Sequence, residues 1–499
     1  MNEIIFGKAQ KEKIVSIEAH DDIVEIFYEH SPGQITHECI PHRSWLLSSQ
    51  KLDDKFARLK GDLHYKYGRQ FLTREEFVKA RSYYRHKDIF SIWNAKESCA
   101  VKDGYSSFLG MNPQDVSLLS FDIETTGLDP HKTDAKVLLI STTYRAGNKI
   151  ESKLFSYDQY NSQGELLTDF CLYVYEKNPS VLLGHNIFCF DLFYMSEIGK
   201  KEGIKLLLGR DGSDAKFENY EKKFRVDGSR DLHYTNCLVY GRELVDTLFL
   251  SIRSDIGRKY NSYGLKKIIE QEGWELPGRT FYDAQTIRFN YTNPVEWEKI
   301  KKYCKEDALD AITLYDKFIP PFFYMNQSVA KGGFQNLLQS ATGSQLNTIM
   351  MRAYLQQGHS LPKADEGYPF EGAISYMKPG IYNNAFKIDV NSLYPSLMLE
   401  YKIFPHSKDP KEYFPFIVQY FYDERLKNKK LAKETGEEYY SHLEQSQKIQ
   451  INSLYGFMGA PGLLFNHIQG ASEVTKKGRD VLKFTIEWAT GESYECWKT

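Results

Sequence analysis

Four acidic side chains and a tyrosine stand at intervals that suit metal-assisted chemistry on a phosphodiester. In FDIETTG, Asp122 and Glu124 lie two residues apart at the end of an apolar run. Residues i and i+2 of a strand point to one face, so both carboxylates project into the same space beyond the strand. The segment HNIFCFDLFYM, expected to be helical, adds Asn186, Phe190 and Asp191; the expected helix YCKEDALDAITLY adds Tyr303 and Asp307. These last two are four apart and share a helix face. Asp122, Glu124, Asp191 and Asp307 are hard oxygen donors, which suit magnesium or manganese better than zinc. Two such ions about 3.5 to 4 Å apart support phosphoryl transfer or hydrolysis. Any one of these pairs is more often structural than metal-binding; three segments in this order carry the reading.

A second group starts at KIDVNSLYPSLM (387–398), expected to be an apolar strand that delivers Asp389 into a turn with Tyr394 and Pro395. Beyond it, Arg425 and Lys429 stand one helical turn apart, and Lys448 and Asn452 follow on a second expected helix. Their cations can converge on a triphosphate from one side. Standing alone, these helices would read as solvated charged faces. One aspartate cannot hold a metal pair, and the chain contains no D-T-D; the acidic clusters DGSD (211–214) and KEDALD (305–310) precede Asp389.

The elements that must position these groups follow from periodicity. Residues 4–115 alternate in short runs such as IVSIEA and IVEIFYE, with a helical stretch from Arg74 to Trp93. From VSLLSFDIETT (116–126) to about Phe318, strands and helices alternate as in an α/β sheet. Residues 335–358 have the spacing of a connector helix pair. Strand-like AISYM (373–377) and the Pro379-Gly380 turn lead to Asp389, and residues 415–457 form two antiparallel helices broken near Gly436.

Composition sets outer bounds. The 499 residues, 26% charged and 41% hydrophobic, allow two to four domains. No apolar run or N-terminal signal points to a membrane or to secretion, so the cytosol is the expected location, the host's if the source is a phage or virus. Seven cysteines without a C-x-x-C pair argue against a disulfide framework or a zinc module, and most are expected to be buried thiols. Net charge is −2, so a nucleic-acid footprint has to be local. In KFARLKGDLHYKYGR (55–69), cations and rings interleave as single strands favour, although a solvated face over a core explains the mix equally well.

The ordered set D-I-E, N-x-x-x-F-D and Y-x-x-x-D resembles the DEDDy 3′-to-5′ exonucleases, in the form found as the proofreading domain of family B DNA polymerases. D-V-N-S-L-Y-P-S resembles motif A of those polymerases, and K-I-Q-I-N-S-L-Y-G (448–456) resembles motif B. GAISYMKPGIY (372–382) and ASEVTKKGRDVL (471–482) are similar to the segments that lead into the palm and follow motif B, so the resemblance runs from about 116 to 490.

The resemblance implies an α+β multidomain fold. An N-terminal α+β domain would occupy 1–115 and an RNase H-like α/β exonuclease domain 116–325. The connector and first part of the palm would occupy 326–414, helical-hairpin fingers 415–457 and a palm continuation 458–499. It also implies two Mg²⁺ or Mn²⁺ ions per active site. In the exonuclease these are held chiefly by Asp122, Glu124 and Asp307 with help from Asp191; Tyr303 orients the attacking water, and Asn186 and Phe190 touch DNA. In the polymerase, Asp389 holds metal, the backbone of Asn391, Ser392 and Leu393 takes the triphosphate tail, and Arg425, Lys429, Lys448 and Asn452 bind its charge. Tyr394 would floor the sugar, and Tyr455 and Gly456 would abut the new base pair.

The implied partners are primer-template DNA, single-stranded 3′ ends and dNTPs, with a sliding clamp left open because no clamp-binding tail is recognised. The family's motif C, Y-G-D-T-D-S, does not occur in the chain. The favoured expectation is a split polymerase whose second polypeptide brings motif C and the thumb. The alternatives are a piece of one longer chain, or a stand-alone 3′-5′ exonuclease or DNA-binding subunit with a non-catalytic polymerase remnant.

Overall fold

The computed structural model describes all residues except Met1, Asp21, Gly228, Tyr376, Lys378, Asn391 and Thr499. The mixed α+β architecture has several layers. Strands β1 (Ile14–Ala19), β2 (Ile23–Ser31) and β3 (Gln34–Pro41) form an antiparallel meander in which Glu25 faces Cys39 and Phe27 faces His37. Strands β4 (Trp45–Ser48), β5 (Ala57–Arg58), β6 (Tyr67–Gln70) and β7 (Ile89–Phe90) make a second small sheet.

The expected helix from Arg74 to Trp93 is shorter than its sequence suggested. It starts on Thr73, whose hydroxyl accepts the Glu76 N–H at 3.2 Å, and ends at Tyr83. Ile89 and Phe90 pair instead with Ser48 and Leu47, where a β-branched and an aromatic residue fit the pleat better than another helical turn. The interleaved segment 55–69 is largely structural: Phe56 and Tyr65 are buried, Arg69 pairs with Asp53 and Arg58 with Asp62.

The central sheet has the order β10-β9-β8-β11-β14. Strand β8 (Leu118–Thr125) runs antiparallel to β9 (Val137–Ala146), which pairs with β10 (Lys149–Ser156); β11 (Val181–Gly184) and β14 (Glu243–Asp246) run parallel to β8. The β11 sequence VLLG is buried at every position, as a parallel strand covered on both faces must be. In chain order, a separate hairpin of β12 (Lys216–Arg225) and β13 (Asp231–Leu238) comes between β11 and β14.

The 33-residue helix Pro294–Asn326 packs against β8 and β9. Asn293 caps it, accepting the Val295 and Glu296 N–H groups at 3.0 and 3.3 Å, and Pro294 takes the first helical position, where its missing N–H costs nothing. The connector pair is present as Phe334–Gln339 and Thr342–Gln356. The two long helices Tyr413–Thr435 and Glu438–Gly459 lie against each other, and Ile468–Thr490 follows. One continuous core joins residues of the two small N-terminal sheets and their surroundings to these helices through Trp45, Phe108, Phe334, Tyr354, Ile451 and Val474. No helix among the described residues is long and apolar enough to cross a membrane.

At the centre of that core, Arg352 is fully buried. It donates to the Ser106 hydroxyl at 2.8 Å and to the carbonyls of Ile5, Tyr105 and Ser328. Burial lowers its pKa to about 9. Arg352→Ala would strip these acceptors of their donor and open a cavity, and we expect a loss of roughly 3 kcal/mol or more. A denaturant midpoint equal to that of the parent would contradict this.

Two expected elements differ. Residues 387–390 and the described residues of the AISYM segment, from which Tyr376 is excluded, are not strands: 381–390 are irregular and exposed, with Ile388 and Val390 both outside the core. An isolated strand leaves its N–H and C=O groups to water, and no described strand lies alongside to pair with this one. The helical reading of HNIFCFDLFYM holds only from Asp191 onward, since the helix spans Asp191–Lys201 and Asn186 has a φ of 69°.

Candidate active sites

The first site is assembled at the end of β8. Gly184 at the end of β11 sits so close to β8 that a Cβ there would stand 2.5 Å from the Phe121 carbonyl oxygen and 2.6 Å from Ile187 Cγ2. That approach brings the 185–190 loop over β8, and Asp191 Oδ1 accepts the Ile123 N–H at 3.2 Å, between the two strand acids. The loop is pinned from below by buried Asp246, which accepts the N–H groups of Asn186 at 2.8 Å and Phe188 at 3.2 Å. His185 completes the loop's anchorage, reaching Thr247 Oγ1 and the Tyr263 carbonyl, both at 3.0 Å; burial lowers its pKa to about 4.

From the other side, the long helix contributes buried Tyr303 and Asp307. Asp307 accepts from Arg279 and stands 3.3 Å from Lys266 Nζ; the same guanidinium reaches Glu306 and Asp310, each at 2.8 Å. The Lys266 ammonium lies 3.8 Å from the Tyr303 ring centroid, a cation–π contact that covers the tyrosine.

Electrostatics mark this as a place of concentrated negative charge. Burial, then the neighbouring carboxylates, raise the Asp122 pKa well above its ordinary value, with Asp307, Glu124 and Asp191 the charges responsible. The same causes push Glu124 up to about 8. Burial pushes Asp191 up to about 7, and Asp246 adds to it. Asp307 is raised by burial against the pull of Lys266 and Arg279.

A carboxylate oxygen each from Asp122 and Glu124 and the Cys304 sulfur lie within 4.8 Å of one another. Cys304 is a poor ligand here, because burial pushes its thiol far up and the S–H points at Asp122. What remains is a set of oxygen donors under mutual repulsion, which fits a hard divalent cation.

Sequence reasoning singled out the four acids and Tyr303, which the structure brings close together, and did not include Lys266, Arg279 and Asp246. Asp246 ends a strand as Asp122 does and could have been suspected, whereas Lys266 and Arg279 carry no local signal. On the exonuclease role that the resemblance implies, Arg279→Gln should lower 3′-end degradation about 10- to 100-fold, the usual cost of losing a group that orients a metal ligand. Rates measured across a magnesium titration would test it, and an unchanged rate would remove Arg279 from the site.

The second site is only partly drawn together. Asn391 lies outside the described residues, and Asp389 sits in the exposed irregular segment. Ser392, at φ 52°, opens the helix Leu393–Glu400, and its hydroxyl accepts from Arg425 Nη1 at 2.5 Å. Arg425 is buried and also pairs with Glu444 on the facing helix at 2.8 Å, so one expected phosphate ligand is already neutralised. Asn428 donates to Gln447 at 3.1 Å and fixes the pair of helices. Tyr394 meets Tyr455 with ring centroids 4.7 Å apart. Lys429 is half-buried, Lys448, Asn452 and Gly456 are exposed, and a Cβ on Gly456 would meet open space.

Two profiles of one protein family match the chain. That of DNA polymerase family B, exonuclease domain, matches residues 64–268, and that of DNA polymerase family B matches 404–496, together more than half of the sequence. The chain belongs to family B of the DNA polymerases. It carries that family's exonuclease domain and part of its polymerase domain.

Among similar proteins, the DNA polymerase of Thermococcus gorgonarius is 24% identical over 410 residues, covering 75% of this chain and 51% of the relative. DNA polymerase 1 of Pyrococcus abyssi is 22% identical over 407 residues, with 74% and 51% covered. The chain thus spans about half the length of these curated relatives. The structure of the family B DNA polymerase from the hyperthermophilic archaeon Pyrobaculum calidifontis superposes with a TM-score of 0.75 at 18% identity, covering 95% of this chain and 72% of that one. Its likeness is one of fold. In this family B chain, Asp122 and Glu124 lie on the central sheet, Tyr303 and Asp307 on the long helix beside it, and Arg425, Lys429, Lys448 and Asn452 on the two later long helices.

Proposed function

We propose that this chain trims single-stranded DNA 3′ ends with two Mg²⁺ or Mn²⁺ ions and supplies part of a nucleotide-insertion site for templated DNA synthesis. The observation that carries the reading is the crowding of Asp122, Glu124, Asp191 and Asp307 at one strand end, with proton affinities raised by burial and repulsion. Such a set favours either protons or divalent cations. Asp122, Glu124 and Asp307 are the ligands, and Asp191, tied to the β8 backbone, shapes the pocket between them. When bound, the ions lower the pKa of coordinated water and offset charge on the departing oxygen. Tyr303 orients the attacking water, and Lys266 above it offers positive charge to the phosphate. Asn186 and Phe190, on the loop held by Asp246, receive the terminal nucleotide.

On the polymerase side, Tyr394 and Tyr455 form the floor of the insertion site. Lys429, Lys448 and Asn452, with Arg425 once released from Glu444, take the triphosphate, the turn at Ser392 and Leu393 takes its tail, and Asp389 is a metal ligand. The second palm carboxylate comes from outside these 499 residues, in our reading from a second polypeptide with motif C and the thumb. Exposed apolar side chains support a covering partner there: Ile381 is 99% exposed, Phe386 79%, Phe484 68% and Trp488 73%. A cytosolic enzyme working on primer-template DNA fits this reading.

The test is degradation and extension of an end-labelled primer-template by the purified chain. We expect magnesium-dependent 3′ shortening that EDTA stops, no extension, and extension on adding a polypeptide that carries Y-G-D-T-D-S. Extension by the chain alone would overturn the missing carboxylate. Shortening that never becomes extension with such polypeptides would favour a stand-alone exonuclease.

A further inference from the structure

Away from both sites, one face of the β2–β3 hairpin gathers three kinds of metal-binding side chain. Glu25 stands opposite Cys39 and Phe27 opposite His37, so Glu25, Cys39 and His37 project to the same side. A Glu25 oxygen, a His37 ring nitrogen and the Cys39 sulfur lie within 4.8 Å of one another. Tetrahedral zinc, with bonds of about 2.0 to 2.3 Å, sets its ligand atoms roughly 3.3 to 3.8 Å apart. The widest of the three separations exceeds that spacing by at most about 1 Å.

The carboxylate is already oriented. His37 Nδ1 bonds one Glu25 oxygen and the Tyr240 hydroxyl donates to the other, while His20 Nε2 stands 2.5 Å from the same hydroxyl. The His37 ring stacks on Phe27 at 5.7 Å and 12°, which limits its freedom, and its side chain is 59% exposed. Cys39 is exposed as well, so an ion and a water can reach the cluster. Tyr240 belongs to the segment between β13 and β14, and the cluster therefore sits on the seam between the N-terminal and exonuclease domains.

We propose that Glu25, His37 and Cys39 bind one Zn²⁺ ion, with water in the fourth position. Thiolate and imidazole favour zinc over magnesium, in contrast to the oxygen set at Asp122 and Glu124. Glu25 would exchange its His37 partner for the ion and keep Tyr240, so the metal would fasten β3 to the contact that crosses to the exonuclease domain. A second set, His42, Cys99 and Asp103, is buried and bonded within itself, Asp103 Oδ2 lying 3.0 Å from His42 Nδ1 and 3.3 Å from Cys99 Sγ. It is the rival holder.

The test uses the full chain, stripped with EDTA and titrated with Co²⁺ in excess Mg²⁺, which keeps cobalt from the carboxylate site. A near-ultraviolet sulfur-to-cobalt band should appear and be bleached by one equivalent of Zn²⁺. Cys39→Ser should abolish it, His37→Ala should weaken cobalt binding about 10-fold or more, and Cys99→Ala should leave it intact. Circular dichroism and magnesium-dependent 3′ degradation should stay at parental levels in Cys39→Ser, since Cys39 is exposed and lies on a different sheet from Asp122 and Glu124. Absence of the band in the parent chain, or its persistence in Cys39→Ser, overturns the proposal.

Discussion

Asp122→Ala should lower 3′-end degradation about 10³-fold or more, on the order of 4 kcal/mol of transition-state stabilisation. The side chain sits among Glu124, Asp191 and Asp307, each of which raises its proton affinity through charge or shares the cause. Removing it takes away a proposed metal ligand, whereas the fold loses little, because the side chain makes no core contact of the kind that Phe121 and Ile123 make on either side. Thermal stability without metal should even rise slightly as repulsion falls. Two readouts therefore move in opposite directions, which separates loss of chemistry from loss of fold. Undiminished cleavage by Asp122→Ala would show that the hydrolysis takes place elsewhere.

The metal-free chain should lose stability between about pH 5 and 8 and recover it when Mg²⁺ or Mn²⁺ is added. In the unfolded chain these carboxyls titrate near 4. In the folded chain Glu124 is pushed up to about 8 and Asp191 to about 7, with Asp122 and Asp307 also raised. Between those limits the folded state holds more protons than the unfolded state, so stability falls as pH rises through the window. Lys266 and Arg279 oppose the trend by stabilising ionised Asp307, and Asp246, raised to about 6 by burial, adds to it. His185, held neutral in the fold with a pKa of about 4, also opposes the trend below about pH 6.5, where the unfolded chain's imidazole takes a proton that the folded one does not.

A divalent cation takes the place of the protons. It should stabilise by about 2.7 kcal/mol at a concentration 100-fold above its dissociation constant, and by more at pH 8 than at pH 5.5, where protons compete. Melting curves in EDTA and in Mn²⁺ at both values would read this directly. Equal melting temperatures under all four conditions would contradict the crowding of the four acids.

The two constellations differ in how far the sequence by itself could define them. Asp122 with Glu124, and Tyr303 with Asp307, were legible because strand and helix periodicities fix which side chains share a face. Asp191 was recognisable from its place in the ordered set. Its setting was not, since the helical pattern of HNIFCFDLFYM runs on through residues that the Asp246 hydrogen bonds hold as a loop. The expected strand at 387–390 failed for a related reason: a strand is stable only through its neighbours, and local pattern cannot supply them.

From sequence alone came the family, the acids and the paired helices, because each depends on residue order and short-range periodicity. Tertiary structure alone placed Lys266 and Arg279 on Asp307, spent Arg425 on Glu444, and set Glu25, His37 and Cys39 beside Tyr240. These contacts join positions tens to hundreds of residues apart or across strands, where burial and charge select the partner and spacing along the chain carries no trace of the choice.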